Sequence, residues 1–315
     1  MSFSVDAFNL ALYVRHAFNT RRFRKRVGHW PNYVEPRTFN EKIQWRKLFD
    51  RNPLFPIFCD KLAARNYVAE RTPSVRLPEI LWVGRDPREI PYDSLPEQYV
   101  LKPNHRSGRN YFVRSEADVI PDLIVKKMRH SLRHPHGPRV REWGYQGVEG
   151  RIFAERMLET DAERDRTRDF RFHIFDGRTE VVVVELADVT TSKRAVLPYD
   201  VFYDRDWRQL PYRRFRKTQL SDAVAIPRPA HFDKLLAAAE TLARGLDYAR
   251  VDLFLIGDEV WFGEITLYAG SGFNRYTMPP NHDRPDLQGF DIDLGRKWRL
   301  PHVDYVDMLR RGLIG

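Results

Sequence analysis

Arg250, Asp252 and Glu264 are ionisable residues inside two short segments, 250–256 and 260–266, that otherwise read Val, Leu, Phe, Ile and Trp. Charges in such segments need partners, and two carboxylates held face to face repel unless a cation lies between them. Carboxylates with few neutral ligands suit Mg2+ that holds substrate phosphates. Strand-end acids matched by arginines are the plain alternative. The connection decides between them. If the turn is Gly257-Asp258 alone, the two-residue period of a strand puts Asp252 and Glu264 on opposite faces. If it is Gly257-Asp258-Glu259, Asp252 pairs with Glu264. Phe254, Ile256, Val260 and Phe262 then share their face, and Val251, Leu253, Leu255 and Trp261 line the other. The metal reading requires the longer loop.

Lys102 ends a short strand, residues 98–102, and runs into Pro103-Asn104-His105-Arg106-Ser107-Gly108-Arg109-Asn110. An ammonium beside a small, hydroxyl-bearing loop is what phosphate binding asks for, since backbone N–H groups can wrap the oxygens. An ordinary polar hairpin reads the same way. Glu155 lies in an apolar strand, 152–158, and Asp169 and Arg171 begin the next; each fits a cross-strand ion pair. The basic and aromatic stretch 207–217 suits an anionic acceptor or a solvated loop. Asp204-Arg205-Asp206 and Asp291-Ile292-Asp293 are Asp-x-Asp triplets of the kind that hold a metal and a nucleotide sugar, but no apolar strand precedes either, which makes them read as surface acids.

The elements that must position these residues come in mixed order. Thr38 and Glu41 form a capping box opening a helix through Phe49, and further helices are expected over 57–70, 117–132, 230–246 and 303–313. Strands are expected over 79–83, 98–102, 152–158, 169–175, 179–187, 250–256 and 260–266. Asp176-Gly177 is a tight-turn signal between two of them, and residues 190–229 read as irregular. Helices and strands mixed in this way predict an α+β fold. Phe3, Ala7, Leu10, Ala11, Val14 and Phe18 recur at helical spacing ahead of the basic cluster 21–26. That pattern suits a helix packed on the domain, or one lying on an anionic membrane.

The 315 residues carry a formal net charge of +10, which favours acidic partners without naming one. The single cysteine, Cys59, excludes an intrachain disulfide. The N-terminus lacks a basic n-region, and no run approaches the roughly 18 apolar residues that span a bilayer. A cytoplasmic protein is expected, with peripheral contact at the inner membrane face as an alternative. No nucleic-acid-binding motif is present.

Taken in order, several segments resemble the ATP-grasp superfamily, and within it the TupA-like branch associated with teichuronopeptide and other polysaccharide biosynthesis. They are Phe39-Asn40-Glu41-Lys42, Asp60-Lys61-Leu62, Val100-Leu101-Lys102-Pro103-Asn104-His105 with Ser107-Gly108, and Ala154-Glu155 with Leu158. Asp169-Phe170-Arg171-Phe172, Arg250-Val251-Asp252, Phe262-Gly263-Glu264-Ile265-Thr266 and Gly270-Ser271-Gly272 complete the set. Arg171 stands where the family's Asp-Tyr-Lys-Phe pattern has lysine, and Thr266 where general ATP-grasp ligases have asparagine.

The resemblance implies two α+β subdomains clamping ATP behind an N-terminal helical extension. Its divisions would be 1–37, 38–97, a nucleotide clamp at 98–158, and 159–315 with the metal site. Lys61 and Lys102 would contact ATP phosphates under the Ser107-Gly108 loop. Glu155 would reach the adenine amino group, with Met157 and Leu158 against the base. Asp252, Glu264 and Thr266 would hold Mg2+, and Arg250 and Arg171 would serve the transferring phosphoryl group. The implied activity is a Mg-ATP-dependent carboxylate–amine ligase working through an acyl phosphate on an anionic small molecule or glycan. A glycosyltransferase, a kinase on the same fold and a non-catalytic polyanion binder are the alternatives.

Overall fold

A computed structural model describes residues 5–134, 140–158, 168–186, 199–214, 226–277, 289–302 and 304–305. Two antiparallel sheets organise them. The larger has six strands in the order β11-β10-β5-β6-β7-β8: β5 (Arg168–Phe175), β6 (Arg178–Leu186), β7 (Tyr199–Tyr203), β8 (Gln209–Leu210), β10 (Tyr248–Ile256) and β11 (Glu259–Thr266). The smaller has the order β1-β4-β2-β3: β1 (Ile80–Gly84), β2 (Tyr99–Pro103), β3 (Tyr111–Val113) and β4 (Ile152–Arg156). A two-stranded ribbon joins β9 (Arg213–Arg214) to β12 (Tyr276–Thr277). The described part of the stretch expected to be irregular thus contains β7, β8 and β9. The pairing of β1 with β4 also carries the small sheet across the division expected at residue 97.

Alternation along the strands gives each sheet two different faces. On the large sheet, Phe170, Phe172, Ile174, Val251 and Leu253 are buried with the apolar side of helix α7 (Phe232–Leu242), and Phe172 stacks on Phe232. The opposite face is closed at the Tyr248 end by α3 (Phe39–Phe49) and α8 (Gly289–Lys297). Phe39 meets Tyr248 edge-on at 5.0 Å, and Trp298 lies 4.7 Å from Tyr248. Arg46 of α3 is buried there among Trp298, Phe55 and Tyr248 and donates to the carbonyls of Tyr248 and Leu267 and to Asp247. In the small sheet, Tyr99, Leu101, Val113, Ile152 and Ala154 pack on Ile124 and Met128 of α6 (Pro121–Arg133). Residues 117 and 118, expected to begin that helix, lie in a separate 3-10 turn, Glu116–Asp118, instead.

The helix expected over 57–70 is two helices, α4 (Phe55–Cys59) and α5 (Lys61–Arg71). Asp60 leaves helical geometry and accepts from the backbone N–H groups of Leu62 and Ala63, so it caps a new helix rather than continuing the old one. Downstream of α5, residue 76 bonds both ways with β11, through Arg76 N–H to Val260 O and Phe262 N–H to Arg76 O. The chain then enters β1, so one short segment ties the edge of the large sheet to the small one.

The N-terminus is also two helices, α1 (Val5–Arg15) and α2 (Ala17–Val27), joined at His16. They pack on the domain through Phe8, Leu12, Phe23 and Val27, not through the stripe of Ala7, Leu10, Ala11, Val14 and Phe18, which faces outward. Phe3 and nearly all of the helix expected over 303–313 lie outside the described residues.

Candidate active site

The carboxylates of Asp252 and Glu264 come together by a route the hairpin argument did not contain. The turn is the short one, Gly257-Asp258, with Ile256 opposite Glu259. A bulge then inserts Gly263 into β11. Leu253 pairs with Phe262, yet Asp252 pairs with Glu264 and Arg250 with Thr266. The extra residue reverses the alternation of β11 at that point. As a result Val260 and Phe262 join Val251 and Leu253 on the buried face, contrary to the partition expected from a longer loop. Glycine is required here, because a Cβ would lie 2.8 Å from the Asp252 carbonyl oxygen and 3.1 Å from the Phe254 ring.

Opposite these pairs, Arg171 on β5 faces Asp252 and Asp169 faces Phe254. Arg250 binds the cluster together. Its Nε and Nη2 donate to the two Asp252 oxygens at 2.7 and 2.6 Å, and Nη2 also donates to Glu264 Oε1 at 3.0 Å and Thr266 Oγ1 at 3.1 Å. Thr266 donates to Glu264 at 2.7 Å. Arg171 grips Asp169 Oδ2 at 2.8 Å through Nε and stands 4.0 Å from Asp252.

A second group of charges arrives from the small sheet and from α5. Alternation puts Lys102 and Glu155 on the face away from α6, and Lys102 donates to Glu155 Oε1. Arg65 of α5 takes the other carboxylate oxygen at 3.1 Å. Glu155, expected at an adenine, is therefore engaged by two cations. Lys61 occupies the first turn of α5 and donates to the Arg106 carbonyl.

Asn104 fastens these parts. Its side-chain amide donates to Asp60 Oδ1 and the Glu149 carbonyl, both at 3.0 Å, and its Oδ1 accepts from Arg151 N–H at 2.7 Å. Lys61 N–H donates to the Asn104 carbonyl at 3.0 Å. Ser107 and Gly108 follow on an exposed loop in which Gly108 has φ +69°, and Met157 and Leu158 are half-buried beyond the end of β4.

Burial lowers the Lys61 pKa, opposed chiefly by attraction to Glu264, while repulsion from Lys102 lowers it further. Burial pushes Asp252 up to about 7; Arg250 opposes this, and the Asp169 and Glu264 charges add to it. Burial acts in the same direction on Glu264, but Arg250 and then Lys61 outweigh it and hold that carboxyl below its ordinary value. Burial also raises Asp169, whose Oδ1 is buried and has no hydrogen-bond partner among the described residues.

These observations suit a hard cation. Two carboxylates and a hydroxyl share one face, like charges crowd, and the Arg250 guanidinium already lies where positive charge is needed. No cage of three or more His, Cys, Asp or Glu side chains occurs among the described residues.

Asp169, Arg65 and Asn104 were not singled out by type and spacing as parts of this site, although Asn104 sits in the loop after Lys102. The Asp-x-Asp triplets have structural work instead. Asp204 closes its own turn by accepting from Asp206 and Arg208 N–H. Asp291 is buried and accepts from Asn40 N–H at the start of α3 at 2.7 Å. Asp293 accepts from Tyr212 at 2.6 Å.

The family model described as TupA-like ATPgrasp matches residues 41–285. The chain belongs to the TupA-like ATP-grasp family. No curated protein matches it. Solved structures similar to this TupA-like chain include a D-alanine–D-alanine ligase from Bacillus anthracis complexed with ATP, at 15% identity and TM-score 0.39, covering 67% of this chain and 55% of that one. A D-alanine–D-alanine ligase from Helicobacter pylori is 13% identical at TM-score 0.42, covering 84% and 69%. An L-amino acid ligase from Bacillus licheniformis is 13% identical at TM-score 0.38, covering 68% and 42%. The chain spans little more than half the length of the first of these ligases. The assignment of this ATP-grasp chain rests on the family match over 41–285.

Proposed function

We propose that the chain is a Mg-ATP-dependent carboxylate–amine ligase working through an acyl phosphate. The observation that carries this reading is that Lys61, at the start of α5, is held on the loop that follows Lys102, while α5 packs on β11, the strand that carries Glu264, in a chain that belongs to the ATP-grasp family. Cations suited to phosphates and carboxylates suited to a metal thus come from different elements that pack together. ATP would lie between the two sheets, its phosphates against Lys61 and Lys102, with the Ser107-Gly108 loop closing over them and Met157 and Leu158 beside the base. Mg2+, when bound at Asp252, Glu264 and Thr266, supplies positive charge to the phosphate oxygens.

Arg250, which holds these acids together, would offer a donor to the transferring phosphoryl group, with Arg171 beside it. A carboxylate oxygen of the substrate attacks the γ-phosphorus, and the bond to the departing ADP breaks as the new P–O bond forms. The amine then attacks the acyl carbon, phosphate leaves with the C–O bonding pair, and the amine gives up a proton to solvent. Positioned cations are what such a reaction asks of the protein. The net charge of +10 supports an anionic acceptor such as a uronic-acid-containing glycan or its precursor, with residues 207–217 assisting. Part of that stretch lies outside the described residues.

Thermal shift with ATP or a non-hydrolysable analogue tests the reading. Wild type is expected to gain stability from nucleotide only with Mg2+, and both Asp252→Ala and Lys102→Ala to lose that gain. A wild type indifferent to Mg-ATP would overturn it.

A further inference from the structure

Helix α1 is apolar on two opposite sides. One side, Phe8 and Leu12, is buried with Tyr33, Trp45 and Phe49. The other carries Leu10 and Val14, continued by Phe18 of α2, and these are 63%, 74% and 69% exposed, the three highest values among the exposed large hydrophobic side chains of the described residues. Spacing of four residues stacks them into one stripe, because the helical hydrogen bonds run on across the joint, from His16 N–H to Leu12 O and Thr20 N–H to His16 O. Ala11 widens the stripe on its exposed side. A helix with apolar residues on both sides needs apolar surroundings on both.

Charge identifies the occupant of the outer side. Continued along the same outward face, the stripe runs into Arg21 and Lys25, flanked by Arg22, Arg24 and Arg26, and Asp6 is the only acid from Val5 to Val27. A second copy seated parallel would bring these cations against their own kind, and one seated antiparallel would set them over a segment with a single acid, Asp6. A polyanion such as RNA would satisfy the cations and leave the stripe in water. A surface offering hydrocarbon just beneath a layer of negative charge satisfies both.

We propose that the outward face of α1 and α2 docks the protein on an anionic membrane, with Leu10, Val14 and Phe18 entering the acyl boundary and the basic half of α2 held against the head groups. The stripe and the nucleotide site share no residue, so the two readings fail separately. No helix among the described residues is long and apolar enough to cross a bilayer, which leaves docking in the plane of the surface as the mode of contact.

Sedimentation of the full chain with vesicles tests this, using phosphatidylcholine alone and phosphatidylcholine mixed with phosphatidylglycerol. The chain is expected to pellet with the mixed vesicles and stay in solution with phosphatidylcholine. A Leu10→Gln/Val14→Gln/Phe18→Gln variant should bind at least about tenfold more weakly, given the apolar area removed. Its melting temperature should change little, since the side chains replaced are largely exposed. Arg21→Gln/Lys25→Gln should weaken binding and flatten its dependence on salt. Failure of wild type to pellet with phosphatidylglycerol vesicles would sink the proposal, as would triple-variant binding equal to wild type. So would a wild-type dimer in light scattering that the triple variant returns to monomer, because the stripe would then belong to a second copy.

Discussion

Glu264 stands directly opposite Asp252 although the turn joining their strands has only two residues. Gly263 makes up the difference, and its missing side chain is what lets the bulge close against the Asp252 carbonyl. Gly263→Ala is therefore expected to cost about 1–3 kcal/mol of stability through overpacking. The specific sign is in ligand binding: the Mg2+-dependent part of nucleotide stabilisation should fall in proportion far more than the Mg2+-independent part. Equal losses in both would mean the bulge does not set the metal site.

Glu155 lies between Lys102 and Arg65, a setting that suits positioning Lys102 as well as reading an adenine. If it positions Lys102, Glu155→Gln should weaken ATP and GTP alike, by roughly tenfold, the scale of one charge-assisted hydrogen bond. Calorimetric titration of both nucleotides decides the matter. A variant that loses its preference between the two bases, with ATP affinity kept, would return Glu155 to the base.

Asn104 is fully engaged and buried. Asn104→Ala leaves the Glu149 carbonyl and the Arg151 N–H without partners and unties the loop from the cap of α5. A loss of about 2–3 kcal/mol in denaturant unfolding is expected. A weaker response to ATP should accompany it, because Lys61 and the 104–108 segment lose their common anchor. A variant as stable as wild type would show that Asn104 is not that anchor.

Lys47 is buried in α3 and donates to the Ser271 carbonyl and hydroxyl at 2.6 and 2.8 Å. Burial lowers it from an ordinary 10.5 to about 7. Between those values the unfolded chain holds a proton that the folded chain has released, so this group adds stability as pH rises from about 7 towards 10 and costs stability below 7. Wild type should therefore gain more, or lose less, over that range than Lys47→Met. Parallel melting curves for the two proteins across pH 7–10 would contradict the assignment.

Seven strands of the two sheets were legible in the sequence because they are apolar runs closed by turn residues, and the acids within them showed up against that background; β3, β7 and β8 are too short or too polar to stand out in that way. The pairing of Asp252 with Glu264 was legible as a possibility, but its cause was not. A bulge follows from one backbone approaching another, and Gly263 in a strand has the same letter as a glycine with no such duty. Asp169 and Arg65 were missed for different reasons. Asp169 looks like half of an ordinary ion pair, whereas Arg65 carries no signal in its own segment, because only folding brings it from α5 to Glu155, ninety residues further on. The stripe of Leu10, Val14 and Phe18 stayed open between a packed and a membrane-facing reading because α1 is apolar on two sides, and spacing alone does not say which side the core takes.

The seating of α3 also bears on how the protein is made. Asn40, Lys42 and Arg46 find their partners at Asp291, Gly295, Trp298 and Tyr248, some 200 to 256 residues later. At ordinary rates of synthesis those partners leave the ribosome on the order of ten seconds or more after α3 does. During that interval Arg46 has no aromatic box and Lys42 no carbonyls to bind. The N-terminal helices must wait, and the nascent chain commits to this seating only after residue 298 has emerged. Early release, pausing or truncation before that residue would strand a chain whose first helices never received their docking surface.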